Sequence, residues 1–158
     1  MSKPSARKPT VITSGYETSV VRTAIAALLV VLGIAWIAVY VVFAQDAANY
    51  TAGLGTKPDN PLPWMADLEK WNYAIGFGLI MVGLIVAAHP STPLGRGRGV
   101  VITMLSCFII GLLWICTYYV FTGQHLDKIP VFNDLGQYNL LVGIGFMAVG
   151  FTFATKWE

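Results

Sequence analysis

Two stretches of this chain align on each other without a gap. Residues 63–84 read PWMADLEKWNYAIGFGLIMVGL, and residues 130–151 read PVFNDLGQYNLLVGIGFMAVGF, at an offset of 67. Pro, Asp, Leu, Asn, both glycines of a G-x-G and a closing Val-Gly recur in one register. The segment before each copy repeats too. Gly33, Trp36, Ile37, Tyr40, Val42 and Phe43 match Gly111, Trp114, Ile115, Tyr118, Val120 and Phe121, at an offset of 78. One two-segment unit is therefore used twice, with a longer connection inside the first copy. Self-similarity of this kind limits the fold to two like supersecondary pieces.

Composition says where such a unit is stable. Of the 158 residues 56% are hydrophobic and 11% charged, against about 25% charged in soluble domains. Four apolar runs, 23–44, 68–87, 100–121 and 135–154, each supply roughly the 20 residues that cross a hydrocarbon core of about 30 Å. None has a charge in its central third. The expected fold is all-α and integral to the membrane: four transmembrane helices arranged as two parallel-repeat helical hairpins. The expected organisation is a basic tail at 1–22, a first hairpin at 23–88 with a long external loop, a linker at 89–99 and a second hairpin at 100–158. The first run exceeds the 7–15 residues of a signal peptide's apolar region and is a copy of the third, so it is expected to be retained as a helix.

Charge orients the hairpins. Lys3, Arg7, Lys8, Arg22, Arg96, Arg98 and Lys156 fall on one side with Glu17 and Glu158, for a net +5; the other side nets −3. The Lys/Arg excess places both termini and the 89–99 linker in the cytoplasm. Both units then cross in the same sense, as parallel repeats. The tail has the composition of a disordered segment, and its four basic residues suit weak contact with anionic lipid.

The repeated polar and small residues have mostly structural readings. Asp67 and Asp134 precede the second run of each unit and are expected to be N-caps, accepting backbone N–H groups at the positive end of the helix dipole. Pro63 also allows an earlier start, with Trp64 and Trp71 as interfacial anchors. Asn72 and Asn139, each after an aromatic, are expected to bond between segments. Gly76 and Gly83, like Gly143 and Gly150, are seven apart and share a face suited to close helix approach. Gly78 and Gly145 lie on another face, open to a partner helix. Trp36 and Trp114, one turn after Gly33 and Gly111, are expected to pack a ring over bare backbone.

Several functional classes lack their chemistry. The G-x-G sits inside an apolar run with no strand before it, so it is not a dinucleotide fingerprint. Cys107 and Cys116 are nine apart in one run and form no C-x-x-C. Ser106 has no nearby histidine. His89 and His125 fall on opposite membrane faces, so no metal site or other cofactor is expected. Asn49-Tyr50-Thr51 is a formal glycosylation sequon given no weight. No carboxylate sits at mid-membrane, where a proton-coupled transporter would need one. A small transporter or channel subunit is the alternative reading, with Asn72, Asn139, Thr103, Ser106 and Thr117 as its sparse polar pathway. No enzymatic activity and no nucleic-acid partner are expected.

Gly-x-x-Trp in the first helix, the segments Trp64-Met65-Ala66 through Trp71-Asn72-Tyr73-Ala74-Ile75 and Tyr138-Asn139 opening the second helices, the basic N-terminal tail and the closing Lys156-Trp157 together resemble the actinobacterial cell division protein CrgA family. That family is usually a single two-helix hairpin, so this chain resembles a tandem of it. The resemblance implies a membrane scaffold at the division septum of the bacterial cytoplasmic membrane. It implies binding to the FtsZ-type ring protein and to membrane division and peptidoglycan-synthesis proteins. A two-hairpin chain also fits the symmetry of a fused dimer, and further homo-oligomerisation is compatible with it.

Overall fold

A computed structural model describes residues 17–50, 55–56, 58–122 and 129–156. The tail cations Lys3, Arg7 and Lys8, the histidine His125, the sequon's Thr51 and the terminal Trp157 lie outside the described residues. Among the described residues every regular element is helical. In chain order these are α1 (Val20–Phe43), α2 (Gln45–Ala48), α3 (Pro63–Asp67), α4 (Trp71–Ala87), α5 (Arg98–Phe121), α6 (Pro130–Leu135) and α7 (Tyr138–Ala154). The repeat is plain in this order, since α1, α3 and α4 recur as α5, α6 and α7.

Helices α1 and α5, 24 residues each, are long and apolar enough to span a membrane. The second helices are shorter than the expected 20-residue spans. Each has 17 residues, or about 25 Å of rise. The difference lies at their N-termini. The expected caps Asp67 and Asp134 do not cap α4 and α7. Asp67 is the last residue of α3, and Asp134 lies within α6. Lys70 and Gln137 hold the cap positions instead and make no side-chain cap bond. The cause is a backbone reversal between the short and long helices. Glu69 has φ +45° and its repeat-mate Gly136 has φ +50°, and a positive φ cannot continue a right-handed helix. Pro63 and Pro130 sit in the first turn of α3 and α6, where the missing N–H is no loss. Pro63 thus opens a short helix of its own, while α4 starts at Trp71, later than the expected start at Leu68.

Glu69 is exposed and carries the left-handed strain that glycine at 136 avoids. Glu69→Gly is expected to stabilise the protein by about 0.5–1 kcal/mol, read as a raised thermal midpoint in detergent. Gly136→Glu is expected to lower it.

Packing is densest within each hairpin, α1 on α4 and α5 on α7, while α4 meets α7 along a sparser seam. Two apolar clusters cross that seam. Tyr40, Ala44, Met65, Tyr73, Phe77 and Ile80 of the first unit join Leu135, Val142 and Phe146 of the second at one end. At the other end Ala26, Ala87 and Ala88 join Val100, Cys107, Val149 and Phe153. There the Arg22 guanidinium lies 2.8–2.9 Å from the ring nitrogens of His89 and 3.2 Å from the Ser91 hydroxyl, tying the start of α1 to the segment after α4. Arg96 reaches the Thr18 hydroxyl, and Arg98 opens α5. Cys107 is buried and Cys116 exposed, on different sides of α5.

Candidate interaction surfaces

The glycines set the closest approaches. A Cβ on Gly33 would lie 2.5 Å from the Gly76 carbonyl oxygen, and one on Gly76 would strike Ile37 and come within 3.1 Å of the Gly33 oxygen. The second unit repeats this: Gly111 against the Gly143 oxygen at 2.5 Å, Gly143 against Ile115 and the Gly111 oxygen at 2.8 Å. Backbone therefore lies on backbone, the arrangement that small residues permit. Gly83 extends the face onto Ala26, Leu29 and Val30, and Gly150 extends it onto Met104 and Cys107. The expectation that Gly33 and Gly111 receive a tryptophan ring is corrected: they receive the opposite helix. Trp36 packs instead against Trp64 at 5.7 Å between centroids, and Trp114 against Phe132 at 4.6 Å and Phe77 at 5.4 Å.

The asparagines close the helix breaks. Asn72 Nδ2 donates to the carbonyls of Met65 (2.7 Å) and Glu69 (2.9 Å). Asn139 Nδ2 donates to those of Phe132 and Gly136, both at 2.8 Å. Each amide ties the end of the short helix to the start of the long one; the carbonyls of Glu69, Phe132 and Gly136 also accept backbone N–H groups. Both side chains are fully buried and are committed to the fold rather than to a ligand. The units then diverge. Trp114 Nε1 donates to Asn139 Oδ1 at 3.2 Å, whereas the equivalent Trp36 Nε1 and Asn72 Oδ1 are both buried without a partner. The first unit has Trp64 where the second has Val131, and Trp36 is packed on that extra ring.

Asp134 joins the two units. It is buried in the otherwise apolar cluster and accepts a hydrogen bond from the Tyr40 hydroxyl at 3.4 Å. Gln45 Nε2 donates to the Pro130 carbonyl at 3.1 Å. The Tyr73 hydroxyl is buried without a hydrogen-bond partner. The repeat-mate Asp67 is exposed. No pattern in the sequence marks Asp134 for this role, because its partners come from the other unit. Tyr40→Phe is expected to cost about 1–3 kcal/mol through the acceptor it leaves buried, measured as a lowered unfolding midpoint.

The remaining faces are exposed. Gly78 has open space where a side chain would be, but Gly145 is covered by the Met81 thioether, whose Sδ lies 2.8 Å from a built Cβ. Of the two positions expected to face a partner helix, Gly145 is thus occupied by this chain's own α4. Trp71, expected to help in helix packing or partner contact, is 74% exposed at the rim of the seam. The outward faces of α1 and α5 present long stripes of Val, Ile and Leu.

The family model described as cell division protein CrgA matches this chain twice, over residues 1–89 and 92–158. The two matches coincide with the two structural units. Among curated relatives, a cell division protein CrgA from Streptomyces avermitilis is 40% identical over 65 residues, 41% of this chain and 71% of the relative. One from Corynebacterium glutamicum is 34% identical over 85 residues, 54% of this chain and 78% of the relative. One from Mycobacterium leprae is 36% identical over 58 residues, 37% of this chain and 53% of the relative. No solved structure matches the chain.

Proposed function

We propose that this chain, which belongs to the CrgA family of cell division proteins, is a non-enzymatic, multi-pass membrane scaffold that positions other division proteins at the septum. The observation that carries the reading is the pairing of a doubled family match with a doubled hairpin whose buried amides and carboxylate bond within the chain. The Asn amides, Asp134 and Gln45 all bond within the chain. What is left outward is apolar helix surface and exposed aromatic side chains, Trp64, Trp71 and Tyr138, the material of protein contacts rather than of a reacting centre.

In this reading all four long helices cross the bilayer. The 17-residue helices α4 and α7 reach across by local thinning and by the interfacial turns α3 and α6, at a cost of fractions of a kcal/mol per Å of mismatch. Both termini and the 89–99 linker are cytoplasmic. The basic tail faces anionic lipid and an FtsZ-type ring protein, while the apolar faces of α1 and α5 meet membrane division and peptidoglycan-synthesis proteins. The tandem holds in one chain the pair of hairpins that a single-hairpin protein would bring together by dimerising.

A fluorescent fusion is expected to gather at midcell, and deletion to displace septa. A uniform membrane signal with normal septation overturns the scaffold. Topology is tested separately with Glu69→Cys and Leu94→Cys, the latter exposed in the linker between α4 and α5, in a background lacking Cys107 and Cys116. An impermeant thiol reagent added to intact cells should label the first and spare the second.

A further inference from the structure

The seam between α4 and α7 is built from the same face of both repeats. Positions 71, 74, 78, 81 and 85 of α4, Ala88 just after it, and their repeat-mates on and just after α7 line two grooves, except at Gly145, where Met81 fills the seam. One groove, about 450 Å³, runs from Lys70 and Trp71 past Gly78 to Met81, with Tyr138 and Leu141 opposite. The other, about 440 Å³, runs from Ile85 to His89, with Phe151 and Lys156 on the facing side. Both volumes fall within the roughly 300–1,000 Å³ of small-molecule sites. The first groove exists because the repeats drifted. Met81 covers Gly145, but its repeat-mate is the short Ala148, and Gly78 faces open space.

We infer that each groove holds the acyl chain of one anionic phospholipid, one from each leaflet, with its phosphate at Lys70 or at Lys156. This rests on the four-span reading above. Length supports it: the ten residue steps from Trp71 to Met81 rise about 15 Å, half of a hydrocarbon core of about 30 Å. Charge supports it as well, since each groove has a lysine at its polar end and neither lining contains Asp or Glu. Trp71 and Tyr138 flank the first mouth, at the depth where aromatic rings meet headgroups. A partner's transmembrane helix, about 10–12 Å across, would need one continuous trough. The Met81 side chain on Gly145 divides this one in two.

The test uses the full chain extracted from bilayers of equal phosphatidylglycerol and phosphatidylcholine, with bound lipid counted by native mass spectrometry. Two retained phosphatidylglycerols are expected. Gly78→Leu should reduce the count to one without lowering the thermal midpoint, because nothing lies within 4 Å of that position. Lys70→Gln and Lys156→Gln should each reduce the preference for phosphatidylglycerol severalfold at one site and leave the other. Equal retention of the two lipids, or an unchanged count in Gly78→Leu, overturns the inference while leaving the scaffold standing. So does loss of a co-purifying membrane protein, rather than of lipid, in Gly78→Leu. If the two engineered cysteines label from the same side, the four-span reading fails and this inference fails with it.

Discussion

Gly76→Leu is expected to separate α4 from α1 and to produce a large loss of stability in the first unit. The added side chain would enter a space already held by Ile37 and by the Gly33 backbone. A side-chain neighbour can change rotamer, but the backbone of a packed helix moves only by lifting the whole interface. Overpacking typically costs about 1–3 kcal/mol, and a leucine against backbone belongs at or above the top of that range. Gly143→Leu should behave alike in the second unit, where Ile115 and the Gly111 carbonyl occupy the same places. The measurement is the unfolding midpoint in detergent, with Gly78→Leu as the comparison. Equal losses at Gly76 and Gly78 would refute the assignment of the two faces.

Gly145→Leu occupies the ground between these extremes. Its clash is with the far end of Met81, a flexible thioether that rotates away readily. The expected result is a small loss of stability within the hairpin and a looser seam between α4 and α7.

The sequence makes the hairpins legible and the seam nearly illegible, for one physical reason. Close packing within a unit needs glycine on both helices at matching heights, and that requirement is written into both copies as Gly33 with Gly76 and Gly111 with Gly143. The break before α4 is readable only from the second copy, where Gly136 takes the positive φ; Glu69 in the first copy conceals it. Reading Asp67 and Asp134 as caps follows the ordinary preference of aspartate for helix N-termini, but it misses a reversal made by backbone alone. Contacts between the units, Tyr40 with Asp134 and Met81 with Gly145, join residues that mostly recur in both copies, as Tyr118, Asp67 and Gly78, so identity does not mark them. Only Met81, with Ala148 as its mate, differs. A repeat alignment treats such a difference as drift. The mismatch of Met81 with Ala148 is one visible signal that the seam is asymmetric, beside Ala74 with Leu141 and Ile85 with Thr152.

That asymmetry reaches the asparagines, and it yields an unequal pair of expected losses. Asn139→Ala removes two bonds to the carbonyls of Phe132 and Gly136 and leaves the Trp114 indole N–H without its acceptor. Asn72→Ala removes two bonds, to Met65 and Glu69, and strands the buried Met65 carbonyl, whereas Phe132 and Gly136 keep backbone N–H donors. However, the Asn72 Oδ1 and the Trp36 N–H are already unpartnered, so the substitution deletes one buried orphan, offsetting the stranded carbonyl, and creates no new one on the indole. Each stranded buried group costs about 1–3 kcal/mol, so Asn139→Ala should be the more destabilising by roughly one such increment. A double-mutant cycle isolates the difference. Trp114→Phe with Asn139→Ala should show a coupling energy within about 0.5–3 kcal/mol. Trp36→Phe with Asn72→Ala should show coupling near zero, since no bond joins that pair. Equal coupling in both units would mean that Trp36 and Asn72 are bonded in the membrane as Trp114 and Asn139 are, with the Trp64 ring displaced from Trp36. The second unit's arrangement would then be the rule for both.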